Sequence, residues 1–160
     1  MSGYRILKAE KQGVFILKFI GEIRLNLCST IDRAIEEIEL SPDLVTVVVD
    51  LSQAEMVDST TLGLIAKIGV FAGRSGKLMP TIITTNPDIT RMIDTMGFDA
   101  IFVILNAADI QASDLKELPV CTASEEEVRQ KVLAAHKVLM DLNDSNRETF
   151  KDLVQALECP

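Results

Sequence analysis

Between Val14 and Leu105 the chain alternates short apolar runs with helical stripes, and this alternation restricts the fold more than any other feature. Val14-Phe15-Ile16-Leu17-Lys18-Phe19-Ile20 is rich in β-branched and aromatic residues and reads as a strand. Tyr4 to Ala9 precedes it across a turn at Gln12-Gly13, a spacing that fits a hairpin. Leu27, Ile31, Ile35 and Ile38 then recur at helical spacing, and Ser41-Pro42 stops that helix. Val45 to Leu51 is a nearly continuous apolar run, the pattern of a strand covered on both faces, and Ser52 to Val57 reads as a connection. A helix is predicted from Ser59 to about Arg74, burying Leu62, Ile65, Ala66 and Gly69, with a break at Gly73 to Gly76. Leu78 to Thr85 is a further strand. Asn86-Pro87 opens a third helix with stripe Ile89, Met92, Ile93 and Met96 and a left-handed stop at Gly97. Ile101 to Leu105 is the last strand, and Asn106 to Leu118 reads as a short helix. The order β-β-α-β-α-β-α-β-α predicts an α/β fold: a mixed, mainly parallel sheet packed with helices.

Pro119 marks a change, and it divides the chain into a main domain, residues 1–118, and a C-terminal helical extension, residues 119–160. Ser124-Glu125-Glu126-Glu127 and Ser145-Asn146-Arg147-Glu148 both have capping-box spacing, serine followed three residues later by glutamate. The first helix carries Val128, Val132, Leu133, His136, Leu139 and Met140, the second Phe150, Leu153, Val154 and Leu157. The short link Leu142-Asn143-Asp144 predicts an antiparallel pair. Each helix must cover its apolar face on the main domain, on a second copy of the chain as a homo-oligomer, or on a partner.

Composition narrows the function. The 160 residues are 48% apolar and carry a formal net charge of −8. That charge repels phosphate backbones and anionic lipid, so neither direct nucleic-acid binding nor membrane binding is expected. No apolar run approaches the roughly 18 residues of a membrane span. The N-terminus lacks the pattern of a signal peptide, so a cytoplasmic location is expected. Cys28, Cys121 and Cys159 are dispersed and odd in number, which suggests neither a disulfide framework nor a metal site. His136 is the one histidine. A Ser-His-Asp hydrolase would have to recruit it across the boundary at 119, so no catalytic residue, cofactor or metal is assigned. On an amphipathic helix His136 reads as a packed or surface residue.

Asp58-Ser59 lies where a buried strand hands over to a helix. Asp58 suits the N-cap, since its carboxylate can accept backbone N–H bonds from the first turn. Ser59 then takes the first helical position, at the positive end of the dipole, with its hydroxyl expected to face solvent. Phosphorylation there would add about −1.5 to −2 charge and three acceptor oxygens, which the helix start can accommodate without disrupting the fold. Asp58 alongside would oppose the phosphate, making it a surface perturbation. Thr60 is a second candidate acceptor, against the simpler reading that it helps the cap.

The stretch Val47-Val48-Val49-Asp50-Leu51-Ser52-Gln53-Ala54-Glu55-Met56-Val57-Asp58-Ser59-Thr60-Thr61-Leu62-Gly63 resembles the signature of STAS domains, a hydrophobic strand and short link followed by Asp-Ser-Ser/Thr-Gly-Leu-Gly opening a helix. Asp58, Ser59, Thr60, Leu62 and Gly63 match that signature. Gly21-Glu22-Ile23 and Thr95-Met96-Gly97-Phe98-Asp99-Ala100-Ile101-Phe102 resemble two further family elements, in the family's order, over roughly residues 4 to 118.

The resemblance to bacterial anti-sigma-factor antagonists implies partner switching. The serine after the aspartate, here Ser59, would be phosphorylated by a partner serine kinase, in some cases the anti-sigma factor itself, and dephosphorylated by a serine phosphatase. The unphosphorylated form would bind the anti-sigma factor, and phosphate would weaken that contact. An antagonist of this kind is not an enzyme and needs no cofactor. The other reading is a STAS-like interaction or small-ligand-binding subunit of a signalling or transport assembly, without phosphoswitching. Two departures from the family pattern bear on the partner-binding face. Thr61 stands where the family has glycine, and Arg24 stands where many antagonists have aspartate.

Overall fold

The computed structural model describes residues 3–106 and 115–159. Strand β1 (Tyr4–Lys11) and strand β2 (Val14–Ile23) form an antiparallel hairpin. The turn between them holds Gln12 and Gly13 at positive φ, 53° and 83°, the backbone that a tight two-residue turn demands. Helix α1 (Cys28–Leu40), strand β3 (Thr46–Val57), helix α2 (Ser59–Arg74), strand β4 (Thr81–Ile83), helix α3 (Pro87–Thr95) and strand β5 (Val103–Leu105) follow. Strand β6 (Lys116–Glu117) and helices α4 (Glu125–Leu142) and α5 (Asp144–Glu158) complete the chain. The sheet order is β5-β4-β3-β2-β1-β6, with β2 to β5 parallel and β1 antiparallel to both its neighbours. This is the mixed, mainly parallel sheet that the alternation predicts.

Period-two burial sets the core. Phe15 and Leu17 of β2 pair with Val47 and Val49 of β3, and Ile6 of β1 pairs with Phe19, so these side chains share one face of the sheet. All are buried, in one cluster with Ile31, Ile35 and Ile38 of α1 and Leu62 and Ile65 of α2. Each such side chain contributes about 1.5–3 kcal/mol by leaving water. The other face carries Lys18 beside Asp50, both buried, with Nζ and Oδ2 4.0 Å apart. Asp50 Oδ1 also accepts from the Ser52 backbone N–H at 2.9 Å and from its hydroxyl at 2.6 Å.

Several expectations are corrected. β3 does not end at Leu51 but continues to Val57, pairing Gln53, Ala54, Met56 and Val57 with the end of β2 through two register shifts. β4 and β5 shrink to three residues each, because Leu78 and Met79 lie outside the ladder and Ile101 ends a 3-10 turn. The helix expected over Asn106 to Leu118 falls largely outside the described residues, and at its far end Lys116 and Glu117 instead pair with Lys8 and Leu7 as strand β6. Ser124 does form its capping box. The second box does not form: α5 starts at Asp144, capped by the Asn143 side chain, which accepts from Asn146 N.

The helical pair packs in cis, α4 against α1 and α2 of the same chain. α4 lies along α2, close enough that a Cβ on Gly63 would stand 2.2 Å from the Ala135 carbonyl oxygen. Leu133, Ala135, Leu139, Phe150 and Val154 are buried as a result. The turn between α4 and α5 is pinned to the end of α3, where Met96 O accepts from Asn143 Nδ2 (3.2 Å) and Asn146 Nδ2 (2.9 Å). Asp32 of α1 binds Lys67 of α2 at 2.8 Å and Lys131 of α4 at 2.6 Å, tying three helices together. Within the pair, the Arg129 guanidinium donates to Leu157 O near the end of α5. No helix among the described residues is long and apolar enough to cross a membrane.

Candidate functional site

The parallel strands β2 and β3 end side by side, and their carboxyl ends are where an open α/β sheet places its sites. At the end of β3, Asp58 is extended (φ −97°, ψ 173°) and caps α2, its Oδ1 accepting from Thr61 N at 2.9 Å. Its second oxygen, Oδ2, accepts from Leu25 N at 2.7 Å. One carboxylate therefore fixes both the start of α2 and the loop leaving β2. Arg24, exposed, adjoins Leu25 in that loop, with its guanidinium 3.5 Å from Glu22. Thr60 and Thr61 are both buried, at 3% and 1% exposure.

Ser59 takes the first helical position, as the sequence predicts, but its hydroxyl does not simply face solvent. Oγ lies 2.8 Å from His136 Nε2, on α4 and 77 residues away. The direction of that bond follows from the ring's other nitrogen. Nδ1 is 2.7 Å from Val132 O, a carbonyl that can only accept, so Nδ1 carries the proton. In the neutral ring Nε2 is then the acceptor, and Ser59 donates to it. The ring is 2% exposed and meets Phe150 of α5 edge-on, with centroids 5.0 Å apart. His136 is thus a packed residue that also holds the serine hydroxyl.

A serine bonded to a histidine begins a nucleophilic arrangement, but here the imidazole is oriented by its own helix and not by a carboxylate. The grooves that open beside Leu118 and Pro119 are lined by other residues, among them Thr30, Arg33 and Glu37. The sequence signal that could have linked Ser59 to His136 is slight. It consists of a glycine at 63, one turn beyond Ser59, and a small residue at 135 beside the histidine, the pairing of small residues that close helix contact requires.

These features define a single-sheet α/β domain that presents a capped serine at a strand-to-helix switch, beneath a helical cover. The chain belongs to the STAS-domain family: the family model for the STAS domain matches residues 5–112. Solved structures share the fold at low identity. The anti-sigma factor antagonist SpoIIAA in its unphosphorylated form is similar with a TM-score of 0.54 and 12% identity, over 65% of this chain and 89% of that one. An anti-sigma factor antagonist from Mycobacterium paratuberculosis gives a TM-score of 0.53 and 21% identity, over 65% and 86%. The Bacillus cell fate determinant SpoIIAA in its phosphorylated form gives 0.52 and 13%, over 80% and 98%. No curated protein sequence matches the chain.

Proposed function

We propose that the chain is an anti-sigma-factor antagonist of the partner-switching kind, acting by binding and not by catalysis, with Ser59 as its phosphorylated residue. The observation that carries this reading is Ser59 itself, the first residue of α2 in a STAS domain, on a helix start that the Asp58 carboxylate ties to the loop leaving β2. Anti-sigma factor antagonists among the solved structures that share the fold, one of them in a phosphorylated form, support it. Ser59 is preferred over Thr60, whose side chain is buried. Arg24 and Asp58 border the same surface, and Thr61 lies beneath it. The partners on this reading are an anti-sigma factor or serine kinase and a serine phosphatase, in the cytoplasm. Phosphate at Ser59 adds about −1.5 to −2 charge beside Asp58, and like-charge repulsion then weakens the contact with the anti-sigma factor.

Intact-mass and peptide mass spectrometry of protein purified from its native cells, with and without phosphatase, tests the acceptor. Phosphate on Ser59 that phosphatase removes is the expected result. Absence of phosphate under every growth condition refutes the switch. In binding assays with the isolated partner, Ser59→Ala keeps the complex in the presence of kinase and ATP, and Ser59→Asp weakens it. A complex indifferent to Ser59→Asp marks an unswitched binding module.

A further inference from the structure

Half-buried Ser59 is closed in on the side where α4 lies. Oγ lies 2.8 Å from His136 Nε2, so on that side any group larger than a hydrogen meets the ring. The ring cannot turn aside without giving up its Nδ1 bond to Val132 O and its contact with Phe150. Outward movement of α4 at that point is resisted by its anchors. One turn along α2 from Ser59, the backbones meet at Gly63 and Ala135, and Asn143, Asn146 and Lys131 anchor the hairpin at Met96 and Asp32. Helix pairs packed this closely have discrete docked and undocked states, because interiors do not deform continuously.

Resting on the reading of Ser59 as the acceptor, we propose that the α4–α5 hairpin is an intramolecular latch, held over Ser59 by His136, and that the docked hairpin and phosphate on Ser59 exclude one another. In the latched state the hydroxyl is held by the imidazole, and α4 covers that side of Oγ. Transfer from a nucleoside triphosphate forms the Oγ–P bond and breaks the bond from the γ-phosphorus to the bridging oxygen. The nucleoside diphosphate leaves, and the hydroxyl proton passes to the kinase's own base, His136 having withdrawn with the hairpin. The product carries a phosphorus and three oxygens where the ring stood. The hairpin then cannot close, and its apolar face (Leu133, Leu139, Phe150, Val154) is uncovered together with that of α2.

The test needs no kinase. Phosphoserine is installed at position 59 of the full chain during synthesis, and hydrogen exchange is compared with the unmodified protein. Amides of residues 128–140 are expected to exchange about ten-fold or more faster in the phosphorylated chain, while those of 47–51 in β3 keep their protection. Equal or greater protection of α4 in the phosphorylated chain overturns the proposal, greater protection marking a phosphate clamp in place of a latch. Gly63→Ala provides a second arm, since its methyl group would collide with Ala135. It should open the hairpin without phosphate, and phosphoserine at 59 should add nothing further. Continued protection of α4 in Gly63→Ala equally refutes the latch. Absence of phosphate in native cells refutes the acceptor reading on its own and leaves these exchange results standing.

Discussion

Asp58 carries two separate hydrogen-bonding duties, and replacing it tests both. Its oxygens serve Thr61 N and Leu25 N, on segments far apart in sequence. Asp58→Ala removes a helix cap, worth about 1–2 kcal/mol, and frees the Leu25 amide as well. A loss of unfolding free energy of that size, read from a lower urea midpoint at unchanged slope, is expected, together with faster exchange in the loop at 24–26. An unchanged midpoint would mean that solvent replaces both bonds. Asn146 is the other residue whose loss is costly. It is 4% exposed and its amide donates to Met96 O and Leu139 O, both at 2.9 Å. Asn146→Leu keeps the volume but strips two carbonyls of a donor, a cost of about 1–3 kcal/mol. The same unfolding titration reads it, and a neutral result would show that the turn is held by Asn143 and packing alone.

Helix docking depends on a charged cluster with a defined pH window. Burial raises the Asp32 pKa, but the two lysine bonds and their charges outweigh it, so the carboxyl titrates below its ordinary value. The Asp32 hydrogen bond holds Lys131 above the usual lysine value. For Asp32 the stabilisation is complete above about pH 4 and is lost as pH falls through the lowered folded value. For Lys131 it is complete below about pH 10 and is lost as pH rises through the raised one. Asp32→Asn should cost roughly 1–2 kcal/mol across the plateau, with the difference from the unsubstituted chain shrinking below about pH 4. A difference that persists at low pH would locate the effect in packing. At this scale the helices α2, α3 and α4 could be read from sequence, because each joins an apolar stripe to a local cap at Asp58, Asn86 or Ser124. What failed was set by distant partners. Ser52 to Val57 has no strand pattern of its own and becomes strand by pairing with Gly21, Glu22 and Ile23. At the start of α5, Asn143 and Ser145 competed as caps, and Asn143 prevailed where it also binds Met96. Asp58 and Ser59 were legible as a helix start and candidate site, whereas the link from Ser59 to His136 spans 77 residues and has almost no local trace.

For the whole molecule, the question is whether the sheet stands without its helical cover. We propose that a chain ending at Leu118 keeps its far-UV circular dichroism, because the core cluster draws most of its members from β1 to α3. It should also bind apolar dyes and self-associate, since truncation bares the α2 surface under Ala135 and Leu139. Loss of the dichroism would place the hairpin within the folding unit and overturn the division at 119. The order of the chain has its own consequence for the latch. Ser59 leaves the ribosome 77 residues before His136 does. At a synthesis rate of about 5–20 residues per second, that is roughly 4–15 s in which the serine has no cover at all. If the hairpin is a latch, every copy of the protein begins unlatched, and a kinase present at the site of translation meets a serine not yet bonded to His136.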